Sequence, residues 1–135
     1  NVIDKFSVLK TEKVRNEAIE YLYEYLARHA ASDEDLDKAL SYSDKIIKIN
    51  SKSKIAQSII EYVSFRKVAI STFDIESLES FEKNCENYPF LKKNKRYDIS
   101  LVHLYGSISF KNYKEKDINT GANYLKKLEN KLYHT

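Results

Sequence analysis

The sequence predicts an all-α fold, an α-α superhelix of about three antiparallel helical hairpins, and three observations carry that prediction. The segment from Asp35 to Asn50 is amphipathic, with Leu36, Ala39, Leu40, Ser43, Ile46 and Ile47 on one stripe at helical spacing. Its pattern returns in Asp74 to Pro89 and in Asp117 to Leu132: Asp35, Asp74 and Asp117 align, as do Ala39, Leu78 and Gly121, then Tyr42, Phe81 and Tyr124, then Ile46, Cys85 and Leu128. The starts lie 39 and 43 residues apart, a period that marks stacked helical units. Finally, 2 glycines and 1 proline in 135 residues are too few for the tight turns of an all-β fold.

Taken in order, residues 1–10 hold Val2, Ile3, Phe6, Val8 and Leu9, which reads as the end of a preceding helix or a cap on the stack. Thr11 is the expected N-cap of a first helix running to about Ala31, with Val14, Ala18, Leu22 and Leu26 inward, flanked by Ile19 and Tyr23. Ser32, with an acid three residues on, fits a capping box for the second helix. A connection of about two residues places the first two helices side by side. Ser51 to Ser53 caps a third helix, about Lys54 to Ile70, whose stripe is Ile55, Ile59, Tyr62 and Val63, widened by Ala56 and Ile60. A fourth starts at Ser71 to Asp74 and ends near Asn87, because Pro89 disfavours helix at Tyr88. Pro89 to Asp98 lacks helical period and is the expected longer loop. The fifth helix spans about Tyr97 to Asn112, with Leu101, Leu104, Tyr105 and Ile108 inward, and Asp117 caps the sixth, to about Leu132. One domain of three hairpins results, about 11–50, 51–88 and 95–133.

A chain of this length buries roughly two-thirds of its unfolded surface without staples. The 23 basic and 20 acidic residues give a net charge of +3, which demands neither nucleic acid nor membrane. One cysteine excludes an intrachain disulfide and a Cys-based zinc site, and leans toward a cytoplasmic location. No apolar run approaches the roughly 20 residues of a membrane span. The chain begins at Asn1 and holds no methionine, so a piece of a longer protein is expected, and a targeting signal would have gone with the missing start.

Asp35 to Tyr42 followed by Lys45 to Asn50 resembles the second helix of a tetratricopeptide repeat, with Ala39 at its small position. Tyr105-Gly106 is similar to the Leu-Gly of a first helix, and Gly121 occupies the small position of the third unit. The chain departs from that family in having no Trp, one repeat-closing proline (Pro89), Leu78 at a small position, and a longer period. The resemblance covers about Ser32 to Leu132 and implies a divergent helical repeat whose usual work is binding proteins or peptides.

No motif points to a reaction, and no catalytic residue, metal site or cofactor is expected. Cys85 aligns with Ile46 and Leu128 and reads as a buried thiol. His29, His103 and His134 are scattered, without ligand spacing, and no glycine-rich loop exists to cradle phosphate. Lys92, Lys93, Lys95 and Arg96, beside Phe90 and Tyr97, form the strongest local charge signal; the solvated-loop reading outweighs nucleic-acid binding at so small a net charge. Tyr21, Tyr25 and Arg28 lie about 100° or more off the first helix's inward line, and these residue types are enriched at binding hot spots. Glu61, Phe65, His103 and Phe110 also lie partly off the stripes of their helices. First helices line the groove of such an array, so these seven residues form the expected partner-binding set. The function expected is a non-enzymatic protein- or peptide-binding module or scaffold. The alternatives are the sensory domain of a bacterial transcription regulator or a structural subunit of a larger assembly, with self-association as the corresponding partner expectation.

Overall fold

The computed structural model describes residues 12–134, and six α-helices account for most of them. They are α1 (Glu12–Ser32), α2 (Leu36–Ile49), α3 (Lys54–Ala69), α4 (Ile75–Asn87), α5 (Lys95–Lys114) and α6 (Ile118–His134), with a 3-10 turn over Pro89–Lys93 before α5. The described residues contain no strand. The expected cap over residues 1–10 and the Thr11 N-cap lie outside the described residues. The chain forms two compact units whose boundary falls inside α3, between Val63 and Ser64.

The aligned aspartates turn out to do the same local work. Asp35 accepts the Lys38 amide at 3.4 Å, Asp74 the Ser77 amide at 2.9 Å, and Asp117 the Thr120 amide at 3.2 Å. Each carboxylate thereby satisfies an amide that has no partner within its own helix, at the end where a negative charge also suits the dipole. The residue before each aspartate is left-handed: Glu34 at φ 60°, Phe73 at 53° and Lys116 at 67°. Left-handed backbone costs an L-residue about 1–2 kcal/mol. In two of the turns the hydrogen bonding is that of a Schellman motif. The Asp35 amide donates to the Ala30 carbonyl at 2.9 Å and the Glu34 amide to Ala31 at 3.1 Å; Asp117 donates to Asn112 at 2.8 Å and Lys116 to Tyr113 at 3.0 Å. In the middle turn the Ser71 hydroxyl takes over, donating to the Val68 carbonyl at 2.8 Å and accepting the Phe73 amide at 3.2 Å. Ser32 is therefore not the cap of α2. It is the last residue of α1, and Asp35 caps because its carboxylate reaches the N3 amide from just outside the helix.

A second threefold correspondence lies in the packing. The aligned aromatics of α2, α4 and α6 each meet an aromatic of the preceding helix: Tyr42 meets Tyr23 with ring centroids 5.9 Å apart, Phe81 meets Phe65 at 6.0 Å, and Tyr124 meets Tyr105 at 6.2 Å. These tilted pairs contribute about 0.5–1.5 kcal/mol each beyond area burial.

In the first unit the core gathers Ala27, Ala30, Leu36, Ala39, Ile59 and Val63. The buried line of α1 is thus Ala27 and Ala30, with Tyr23 on Tyr42, rather than Val14, which is 49% exposed. Small side chains win this face because Ala27, Ala30 and Ala39 let the two backbones approach closely. In the second unit Leu78, Phe81, Cys85, Leu91, Leu101, Leu104 and Ile108 are buried. The Ser109 hydroxyl donates to the Gly121 carbonyl at 2.8 Å, tying α5 to α6 where the latter has no side chain.

Two local expectations are corrected. Tyr62 is 44% exposed and points away from the stripe assigned to it; the buried arc of α3 sweeps instead through Ala56, Ile60, Val63, Ser64 and Val68 to Phe65. Residues 89–98 are not a plain loop. Pro89, with φ preset and no amide to satisfy, starts the 3-10 turn, and Asn94 accepts the Arg96 amide at 2.9 Å to begin α5 two residues before the expected Tyr97.

Candidate interaction surfaces

On α1, Tyr21 is 75% and Tyr25 62% exposed, one helical turn apart, with Arg28 exposed in the next turn. Tyr25 stacks on His29, centroids 6.1 Å apart and rings within 6° of parallel. His29 Nε2 lies 3.6 Å from the Asp33 carboxylate, so the aromatic pair is anchored at the end of the helix. Arg28 also reaches a shallow depression of about 320 Å³ lined by Ala31 and Ser32 of α1 and by Ser58, Ile59 and Tyr62 of α3. The Tyr62 hydroxyl donates to Glu34 Oε1 at 3.4 Å. Arg28 and Tyr62 are thus brought together, whereas Glu61, half-buried, does not line that depression. Beside Arg28, the Glu24 carboxyl is held above its ordinary pKa by burial and by the charge of Glu20, with Arg28 pulling the other way.

In the second unit His103 and Phe110 are both exposed on α5, two turns apart and on one face. That face also carries Arg96, Ile99, Ser107 and Lys114, all exposed, with Phe110 at 62% and Ile99 at 54%. Gly106 borders a depression of about 420 Å³ with Ser107, Phe110, Lys111 and Lys114. Ile99 escaped the sequence reading, although it lies off the Leu101-Leu104-Tyr105-Ile108 line and so gave a signal of exposure. Phe65 is the correction within the expected binding set: it is 6% exposed and packed on Phe81, so it belongs to the core. Its place in the repeat is that of Tyr23 and Tyr105, both read as core residues, and that equivalence is the signal that identifies it.

A larger cleft of about 530 Å³ lies between the end of α3 and α4. Asn84 donates to Ser64 Oγ on its wall, and Lys67, Asp74 and Ser77 border it. The Asp74 carboxyl is brought down to about 2 by the Ser77 amide, the Thr72 hydroxyl at 2.8 Å and the Ser77 hydroxyl at 2.8 Å. Its oxygens are engaged in capping α4.

Of the basic residues, Lys92 and Lys93 sit in the 3-10 turn and Lys95 and Arg96 in the first turn of α5. Lys92 Nζ lies 3.0 Å from Glu86 Oε1, and that contact raises its pKa. Tyr97 is half-buried between the Phe81 ring, 6.0 Å away, and Lys131 Nζ, 5.2 Å from its ring centre. Burial pushes the Cys85 thiol up to about 11, which leaves almost no thiolate at neutral pH. Among the described residues no three His, Cys, Asp or Glu side chains converge to hold a metal ion, and no helix is long and apolar enough to cross a membrane. Compared with known proteins, the chain matches no family model, no curated protein and no solved structure.

Proposed function

We propose that this chain is a tetratricopeptide-like repeat module that binds protein or peptide segments on the outward faces of its first helices and carries no chemistry of its own. One observation supports this reading above the others. Among the described residues six aromatic side chains are exposed, and five of them, Tyr21, Tyr25, Tyr62, Phe110 and Tyr113, belong to α1, α3 and α5, the first helix of each hairpin. An aromatic ring left in water forgoes roughly 1.5–3 kcal/mol of burial, and tyrosine joins a large contact area to a polar tip at little cost in side-chain entropy. In this role Tyr21 and Tyr25 anchor a segment on the first unit, where Arg28 and Glu61 orient it, and Phe110 anchors one on the second, where His103 orients it.

Selection of displayed random peptides on the immobilised chain tests the reading. The expected outcome is enrichment of peptides whose affinity drops at least tenfold with Tyr21→Ala plus Tyr25→Ala, or with Phe110→Ala, while the helical circular dichroism stays unchanged. Failure to enrich any peptide, or peptides indifferent to both sets of changes, refutes it.

A further inference from the structure

The charge of this chain is divided unevenly along its length. Residues 1–88 hold 13 Lys and Arg against 16 Asp and Glu, a net −3, whereas residues 89–134 hold ten against four, a net +6. The overall +3 conceals the division. It coincides with the last hairpin, whose first helix carries the exposed row Arg96, Ile99, His103, Ser107, Phe110 and Lys114 at steps of three and four residues. This row is cationic at its two ends, with apolar Ile99 and Phe110 next to them and polar His103 and Ser107 at its middle.

Acids flank the row rather than line it, and Asp74, Glu76 and Glu115 border a depression with Lys111. The one acid within α5, Asp98, is 2.8 Å from Lys131 Nζ, and Glu115 and Asp117 follow the end of the helix. Exposed Lys93 and Lys95 precede Arg96, and exposed Lys111 stands next to Phe110. The row extends about 27 Å at 1.5 Å per residue. Resting on the binding-module reading above, we infer that the outward face of α5 takes an acidic amphipathic segment of another protein, with apolar side chains seated on Ile99 and Phe110 and carboxylates meeting Arg96, Lys111 and Lys114. Charge complementarity sets the sign of the partner. The aliphatic Ile99 and the depression beside Gly106 and Phe110 suit apolar side chains rather than stacked bases, so a peptide is favoured over a nucleic acid.

The test uses the full chain and four fluorescein-labelled probes read by fluorescence anisotropy. They are an amphipathic peptide of about 18 residues with leucines at helical spacing and Glu elsewhere, the same peptide with Lys for Glu, the acidic peptide with Ser for Leu, and a single-stranded RNA. The expected result is that the first probe binds at least tenfold more tightly than the other three, weakens as salt is raised, and loses at least tenfold with Phe110→Ala and with Lys111→Glu plus Lys114→Glu. Lys52→Glu, at an exposed position before α3 with no part in either surface, leaves it unchanged. Equal binding of the lysine or serine peptide, preference for RNA, or no binding by any probe overturns the inference. Acidic-peptide binding that survives the α5 changes but fails with the α1 tyrosines also overturns it, yet leaves the binding-module reading standing. That reading fails separately, when random-peptide selection enriches nothing. Helical circular dichroism of each variant confirms that the fold is kept.

Discussion

The chain's two glycines both lie inside helices, and replacing each by alanine should shift stability in opposite directions. Glycine in a helix interior costs about 0.5–1 kcal/mol relative to alanine. At Gly106 an added Cβ would meet Leu128 Cδ2 at 3.7 Å, ordinary van der Waals contact, so the full gain is realised and Gly106→Ala should stabilise by about 0.5–1 kcal/mol. At Gly121 the same carbon would lie 2.9 Å from Tyr113 Cδ2, 3.0 Å from its Cγ and 3.2 Å from its Cδ1. Carbon pairs prefer about 3.5–4.0 Å. The Tyr113 ring is met at its root, one bond from Cβ, so it must change rotamer or the helices must part. Parting them strains the 2.8 Å bond from Ser109 Oγ to the Gly121 carbonyl. Overpacking of this kind costs about 1–3 kcal/mol, which exceeds the propensity gain, so Gly121→Ala should destabilise by roughly 1–2 kcal/mol. Urea denaturation followed by far-UV circular dichroism measures both, and for a chain of this size 1 kcal/mol is about 3–5 °C in Tm. Adding Tyr113→Ala to Gly121→Ala should recover part of the loss, a coupling expected only of neighbours in contact. If Gly121→Ala proves as stable as the parent, or if both alanines shift stability the same way, the close approach of α5 and α6 inferred here is wrong.

Three further outcomes are expected. Phe65→Ala should cost about 3–5 kcal/mol by denaturation while Tyr21→Ala stays within about 0.5 kcal/mol, since only the former empties a core position; equal effects would return Phe65 to the surface. The Asp74 carboxyl sits at about 2 when folded against an ordinary 3.8, so the stability it contributes is fully present above pH 3.8 and is lost as the pH falls toward 2. Asp74→Asn should therefore be less stable than the parent at pH 7 and nearly equal to it at pH 2 in urea midpoints, and a gap undiminished at pH 2 would count against the capping role. The Cys85 thiol, 1% exposed and raised to about 11, should react with a chromogenic disulfide at pH 8 only as fast as the protein opens, so immediate stoichiometric reaction would contradict its burial.

What the sequence disclosed follows from how local each interaction is. Asp35, Asp74 and Asp117 were legible as helix starts because an aspartate caps through an amide three residues away, whatever surrounds it. The left-handed residues before them were not, since Glu34, Phe73 and Lys116 are not the glycine or asparagine that usually announces that conformation. The inward face of α3 was misjudged between Tyr62 and Phe65, because the helix is apolar on several sides and periodicity alone does not locate the centre of a broad arc. Alignment to the Tyr23–Tyr42 and Tyr105–Tyr124 pairs would have placed Phe65 correctly. On the candidate surface, the exposure of Tyr21, Tyr25 and Phe110 was readable from their offset to the stripes. The basic cluster of 89–98 is plain in the sequence, but a whole-chain net charge of +3 argues for a solvated loop and hides the contrast between a negative first two-thirds and a positive final hairpin.

The three turns, each a left-handed residue followed by a capping aspartate, also bear on how the chain reaches its fold. Every hydrogen bond in them spans five residues or fewer, and the closest helix pairings, α1 with α2 and α5 with α6, join neighbours along the chain. Loops this short close with little loss of entropy, and topologies rich in such contacts fold in microseconds to milliseconds. Each hairpin therefore carries its own instructions for reversing direction, and a ribosome would release them one complete set at a time.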